Sequence, residues 1–214
     1  MNTSLEKWLG EKQAGICVSQ LIKHRFDAHF VQNRRLAMDL IVQMVSGFET
    51  FGFGGSNTLD QLGVKDVLRD MGKTLYDHNQ EDLPMETRLE YRKKQGSCDC
   101  FMASANALTL SGEIVNIDGI GNRINAMTFG PTKVILVAGV NKITADVESA
   151  IRRIKDVAAP MRAKSLNADT PCALTGRCTD CNSPMRICSV TSILHRKPIL
   201  TDMSVIVVNE ALGF

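Results

Sequence analysis

Apolar positions along this chain switch repeatedly between a period of 3.6 and a period of 2, which predicts alternating helices and strands. Residues 3–25 place Leu5, Trp8, Leu9, Ile16, Leu21 and Ile22 at helical spacing behind a Thr3/Glu6 capping box, an amphipathic helix. Phe26–Val31 alternates as a strand, Asn33–Val45 returns to helical spacing, and Thr50–Phe53 is a short buried strand. Helices are expected at Val64–Met71, Pro84–Gln95 and Gly121–Phe129, and strands at Lys73–Tyr76, Asp99–Ser104 and Lys133–Ala138. Ala145–Ala168 reads as one long helix interrupted or bent near Pro160. Ser189–Leu194 and Val205–Asn209 supply the last strands. Helices alternating with short apolar strands imply an α/β fold with a largely parallel sheet flanked by helices, one domain over residues 1–214.

Two stretches interrupt this rhythm with small and polar residues. Asn106–Arg123 begins as a hairpin, with Ala107–Leu110 and Glu113–Ile117 about a Ser111-Gly112 turn, and continues through Asp118, Gly119, Gly121, Asn122 and Arg123. Its amides, hydroxyl, carboxylate and guanidinium (Asn106, Thr109, Asn116, Asp118, Asn122, Arg123) suit a ligand site. Arg123 would hold an anion bidentately, and Asp118 would accept a proton. The competing reading is that Asn and Asp simply serve turns through their own backbone. The second stretch is Gly52-Phe53-Gly54-Gly55-Ser56-Asn57-Thr58, a glycine-rich turn between strand and helix. Such a turn offers free N–H groups to phosphate or carboxylate, although it is neither a complete G-x-G-x-x-G nor a Walker A sequence. A tight turn without a ligand fits the same residues.

Composition narrows the classes. With 214 residues, 44% apolar and 22% charged, the chain can bury a sizeable core. A net charge of +2 with one Trp and two Tyr argues against nucleic-acid binding. The longest apolar run, Val134–Val140, is too short to span a bilayer, and the first residues do not resemble a signal peptide. A cytoplasmic protein without membrane insertion is expected.

Seven cysteines do not make a simple disulfide framework. Four of them, Cys172, Cys178, Cys181 and Cys188, fall in the turn-rich segment 169–189, an insertion ahead of the last strands. Thiolates so grouped suit an iron–sulfur cluster or a structural zinc, and the Cys178-x2-Cys181 pair presents two sulfurs from one turn. The spacing is one residue longer than the plant-type C-x4-C-x2-C pattern. A 4Fe–4S cluster is the expected cofactor, with zinc as the alternative. Of Cys98 and Cys100, which should point to opposite faces of a strand, one is expected in the core. His24, His29, His78 and His195 are scattered and are expected at the surface or in packing.

Phe51-Gly-Phe-Gly-Gly-Ser-Asn-Thr-Leu, the whole Asn106–Arg123 stretch, Gly130-Pro-Thr-Lys-Val-Ile-Leu-Val-Ala-Gly-Val-Asn-Lys-Ile and the closing Glu210-Ala-Leu-Gly-Phe resemble the lactate-utilisation (LUD) domain family. That resemblance implies a fold similar to the ribose-phosphate isomerase, glucosamine-phosphate deaminase and CoA-transferase group. It also implies a place in the oxidation of lactate or a related organic acid, with iron–sulfur subunits of a lactate-oxidising complex as partners. The resemblance includes members with long cysteine-rich C-terminal extensions; the compact four-cysteine loop is expected in their place here, which puts a multi-cluster electron relay out of expectation. The competing functions are a non-redox isomerase or CoA-transferase-like enzyme with structural zinc, and a non-catalytic subunit or sensor docking on iron–sulfur proteins. A homo-oligomer is left open.

Overall fold

The protein, seen in a computed structural model, is described over residues 3–214. Its strands are β1 (Asp27–Val31), β2 (Thr50–Phe53), β3 (Thr74–Tyr76), β4 (Cys100–Ala103), β5 (Ala107–Thr109), β6 (Ile114–Asp118), β7 (Lys133–Gly139), β8 (Ile143–Thr144), β9 (Val190–Leu194) and β10 (Asp202–Val208). The helices are α1 (Thr3–Lys23), α2 (Arg34–Val45), α3 (Asn57–Leu62), α4 (Val64–Asp70), α5 (Met85–Lys94), α6 (Asn122–Thr128), α7 (Val147–Arg153), α8 (Ala159–Ser165) and α9 (Pro171–Thr175). Six strands pair in parallel in the order β1-β10-β7-β4-β2-β3. A second, mixed sheet has the order β8-β5-β6-β9 and is built on the expected hairpin, with β5 and β6 antiparallel.

The long apolar run in β7 is explained by its place between β10 and β4. A parallel sheet is covered on both faces, so both sets of alternating side chains are buried. Val134, Leu136 and Ala138 join α1, α6 and the hairpin on one side, while Ile135 and Val137 join α2, α3 and α4 on the other. The same geometry corrects the expectation for the paired cysteines. Cys98 lies in the first cluster and Cys100 in the second, so both are core, and burial pushes the Cys98 thiol up to about 11.

The first helix forms as expected but buries only Leu21 of the expected stripe. Ala14, Cys17 and Leu21 are fully buried, whereas Leu5, Trp8, Leu9, Ile16 and Ile22 are exposed. Small residues allow the helix backbone to come close to the sheet, and a Cβ on Gly10 would already meet Asn209 Oδ1 at 3.1 Å. The capping box proposed at Thr3 lies outside the described side chains. Asn33 does cap α2, its side chain accepting from Leu36 N.

The long helix after β8 is broken by chemistry that the sequence announced. Between α7 and α8 runs a π-helical turn, Ile154–Ala158. Pro160 has no N–H and its ring crowds the carbonyl four residues back, so the widened turn absorbs the defect. Within segment 169–189, expected to be irregular throughout, Pro171–Thr175 forms α9, closed by Gly176 at φ 72°. Ser189 N then bonds to Asp118 O, and β9 runs antiparallel to β6. The cysteine loop is thereby fastened to the far end of the hairpin. No helix among the described residues is long and apolar enough to cross a membrane.

Candidate functional site

Strands β2, β4 and β7 are neighbours in the large sheet, and their carboxyl ends lead into Gly54–Ser56, Ser104 and Lys142. Ligands of open α/β sheets sit at such ends. Here β6, α6, the π-turn and α8 close the space above them. A cavity of about 230 Å³ is lined by Gly55, His78, Asn79, Arg92, Asn106, Ile117–Ile120, Asn122, Arg123, the π-turn and Arg162. A smaller one of about 60 Å³ adjoins it and is lined by Ser56, Asn57, Thr58, Ser104, Lys142 and Phe214. The two share Gly55, Asn106, Arg123, Ala158 and Arg162.

The glycine-rich turn and the Asn106–Arg123 stretch therefore face one another, but their roles differ from those expected. Arg123 is largely buried, its side chain 13% exposed, and spends itself on the chain. Its Nη1 donates to Ser104 O (3.2 Å) and Asn116 Oδ1 (3.1 Å), and its Nη2 to Asn106 Oδ1 (3.0 Å) and Ile117 O (2.8 Å). All four terminal hydrogens are used, so Arg123 is a knot rather than an anion clamp. Asp118 is likewise committed: its oxygens accept from Ile120 N and Ile124 N at 3.2 Å, and Arg123 Nε lies 3.9 Å away. The turn-serving reading is the right one for this carboxylate, which caps α6.

Asn106 and Asn116 complete the knot, with Asn106 N donating to Asn116 Oδ1 and Ile117 N to Asn106 Oδ1. Thr109 lies away from the cavities, its hydroxyl bonded to Glu113 in the hairpin. Gly52 is interior, against Cys98. Gly54 lies against the aliphatic stem of Arg123, where a Cβ would stand 2.8 Å from Cδ. Gly55 is the glycine that faces the cavity, with Arg162 Nη2 2.7 Å from the position of a Cβ. Ser56 uses its hydroxyl to cap α3 through Leu59 N, and Gly121, at φ 90°, starts α6. Asn122 reaches Gln95 Oε1 at 3.3 Å.

The cations that remain available were not singled out in the sequence. No described residue accepts a hydrogen bond from the guanidinium of Arg162, and Arg92 Nε is buried without a partner. Both are held below the ordinary arginine value by burial, reinforced by Arg88 for Arg92 and opposed by the charge of Asp60 for Arg162. His78, expected at the surface or in packing, is buried on this cavity. Its Nδ1 lies 2.8 Å from Gln95 Nε2, and burial with the nearby Arg92 lowers it to about 4, so it is neutral near pH 7. Lys142 Nζ donates to Thr58 Oγ1 and Ser104 Oγ, each at 2.8 Å, and burial followed by the charges of Arg153 and Arg123 lowers it to about 7. Helical spacing in α5 and α8 hides Arg92 and Arg162 among surface-type charges, and only the tertiary fold distinguishes them.

The cysteine loop adjoins this site. Cys172, Cys178, Cys181 and Cys188 line a cavity of about 20 Å³ whose apolar walls Ile117, Ile154, Ala159 and Ile187 also line the large cavity. Burial raises the Cys188 thiol, opposed by Arg186 and reinforced by Cys178 and Cys181, so these sulfurs feel one another. Arg186 ties the loop by donating to Cys188 O (3.1 Å) and Asp180 Oδ1 (2.7 Å). Among the described residues, no three His, Cys, Asp or Glu side chains are gathered tightly enough to share one ion. The four thiols thus border one space without forming a closed tetrahedron.

These observations define an α/β protein with a composite site at the carboxyl edge of its parallel sheet, walled by a hairpin and a cysteine loop. The LUD domain family matches residues 16–208, and the chain belongs to that family of lactate-utilisation-related proteins. A crystal structure of a DUF162 family protein from Deinococcus radiodurans is similar, with a TM-score of 0.52 and 13% identity over 94% of this chain and 98% of that one. At that identity the likeness shows the fold. No curated protein matches the chain.

Proposed function

We propose that the protein binds a small organic anion of the lactate type between Arg92 and Arg162 and takes part in its oxidation, with a 4Fe–4S cluster held by Cys172, Cys178, Cys181 and Cys188. One observation carries this reading: two arginines whose hydrogens are unspent face a cavity that shares a wall with four thiols. A monocarboxylate between them would take up their unspent hydrogens through charge-assisted bonds, adding to the charge of Asp60 that already favours Arg162. His78, neutral and next to Arg92, adds a polar contact without competing positive charge.

The donor set fits the cluster in chemistry and surroundings. Thiolates are the usual ligands of iron–sulfur clusters, and an apolar wall with restricted solvent access supports a redox centre. A zinc ion, which would take four donors at about 2.3 Å from one point, is the alternative occupant of the same donor set. When bound, the cluster supplies one-electron transfer beside the anion. The protein's own part is to seat the carboxylate on Arg92 and Arg162 and to hold the reacting carbon against Ile117, Ile154 and Ile187. Iron–sulfur subunits of a cytoplasmic complex are the partners this chemistry requires for onward electron flow.

Two measurements test it. Protein purified without oxygen should contain iron and acid-labile sulfide, lost in the Cys178→Ser and Cys181→Ser variants. Stoichiometric zinc in a colourless protein would instead support the non-redox enzyme. Lactate at about 100 times its dissociation constant should stabilise the fold by about 2.7 kcal/mol, and Arg162→Gln should abolish that shift. An unchanged shift in this variant would overturn the proposed anion seat.

A further inference from the structure

Lys142 is the buried amine to which the proposed oxidation gives no role. It lies just beyond the carboxyl end of β7, on the small cavity that opens beside Arg162. Its hydrogen-bond partners decide its chemistry. Thr58 Oγ1 directs its own hydrogen to Leu212 O or Ser104 Oγ (3.3 Å each), and Ser104 Oγ passes its hydrogen to Ala105 O (3.1 Å). Both hydroxyls therefore present lone pairs to Nζ and take one hydrogen each.

A neutral amine has two hydrogens and one lone pair. Both hydrogens are placed here, and the lone pair is left over. An ammonium would carry a third hydrogen that no described residue receives, and no Asp or Glu side chain among the described residues pairs with Nζ. The guanidiniums of Arg123 and Arg153 further disfavour a positive charge. Burial and these neighbours bring the group to about 7, which is the range of nucleophilic lysines in desolvated pockets.

We propose that Lys142 is a nucleophile that forms an imine with a small 2-oxo acid whose carboxylate is taken by Arg162. This rests on the reading of the cavity as an organic-anion site and specifies its substrate class, since oxidation of a 2-hydroxy acid gives a 2-oxo acid. The lone pair of Nζ adds to the carbonyl carbon, and the carbonyl oxygen takes up a proton. The carbinolamine then loses water, both amine hydrogens leaving with the former carbonyl oxygen. No oxidant or reductant enters the step. Ser104 and Thr58, already bonded to Nζ, are positioned to exchange the protons involved.

The test traps the imine in the full chain. Pyruvate is added with borohydride, and the reduced adduct is located by peptide mass mapping. One adduct per chain is expected, at Lys142, formed with pyruvate and not with lactate, with a rate that rises with pH to a half-maximum near 7. Arg162→Gln should slow labelling about tenfold or more, the loss of one charge-assisted contact. Lys142→Met should abolish labelling while retaining the pyruvate-induced rise in melting temperature. Label spread evenly over exposed lysines, or absent from Lys142, overturns the proposal. If pyruvate still raises the melting temperature in that case, the anion site stands and only the imine falls. If pyruvate neither labels nor stabilises, both fall. Because the adduct is mapped on the unsubstituted chain, the outcome does not depend on how any variant folds.

Discussion

Replacing Arg123 with methionine separates a structural knot from a ligand clamp. Methionine keeps an aliphatic stem of the kind that packs against Gly54, so the change removes chiefly the guanidinium. Four hydrogen bonds are lost, to Ser104 O, Asn116 Oδ1, Asn106 Oδ1 and Ile117 O. Each asparagine oxygen keeps a backbone donor, so its loss is about 1 kcal/mol. The two backbone carbonyls are stranded in a buried site, at about 1–3 kcal/mol each. The sum is about 4–8 kcal/mol, against a total stability of about 5–15 kcal/mol for a typical domain.

With a urea slope of about 2 kcal/mol/M, the unfolding midpoint followed by circular dichroism should fall by about 2 M or more. Arg162→Met, which removes no hydrogen bond made within the chain, should leave the midpoint within about 0.5 M. A midpoint shift of less than about 0.5 M in Arg123→Met, together with lost anion binding, would refute the knot and return Arg123 to the role of clamp.

Three further outcomes follow from the same geometry. His78 is lowered from 6.5 to about 4, so between these values the unfolded chain takes up a proton that the folded chain does not. Stability should therefore fall with pH across this window, by up to about 1.4 kcal/mol per pH unit, and His78→Gln should flatten urea midpoints measured from pH 7 to pH 4. Lys142 is lowered from 10.5 to about 7, so the unfolded chain holds the extra proton between those values and folding gains stability as pH rises through them. Lys142→Met should thus be more stable than the parent near pH 7, by about 2–4 kcal/mol, and the advantage should shrink toward pH 10 in calorimetry. Equal melting curves at both pH values would contradict a desolvated amine. A Cβ on Gly119 would stand 2.9 Å from Ile187 Cα, and backbone cannot easily yield. Gly119→Val should push the cysteine loop off the hairpin and lower iron incorporation several-fold, as read by iron per chain. Full iron loading would show that the contact does not set the loop.

Much of the architecture was legible in the chain itself, because each signal was local. The Lys133–Ala138 run marks a strand covered on both faces, Asn33 announces a helix start, and Ser111-Gly112 a hairpin turn. Pro160 foretold the interruption that the π-turn accommodates. Four cysteines in a turn-rich insertion were enough to expect a group of thiols around one space, and the stretches Asn106–Arg123 and Gly52–Thr58 both contribute to the lining of adjoining cavities.

What tertiary structure decided is how each polar group is spent. Sequence spacing does not tell whether Arg123 donates to a ligand or to four oxygens of its own chain, nor that Asp118 caps a helix. It does not show that Arg92 and Arg162, which look like surface charges, converge with hydrogens to spare. Nor does it show that Lys142 faces two hydroxyls and, among the described residues, no carboxylate side chain. Even the first helix followed this division: its periodicity identified a helix, but the small Ala14 and Cys17 were buried and the large Trp8 and Ile16 left outside. Local patterns encode backbone conformation because they depend on neighbours along the chain. The identity of a side chain's partner depends on residues that only folding brings near, and in this site those partners separate the groups that build the cavity from the groups free to act in it.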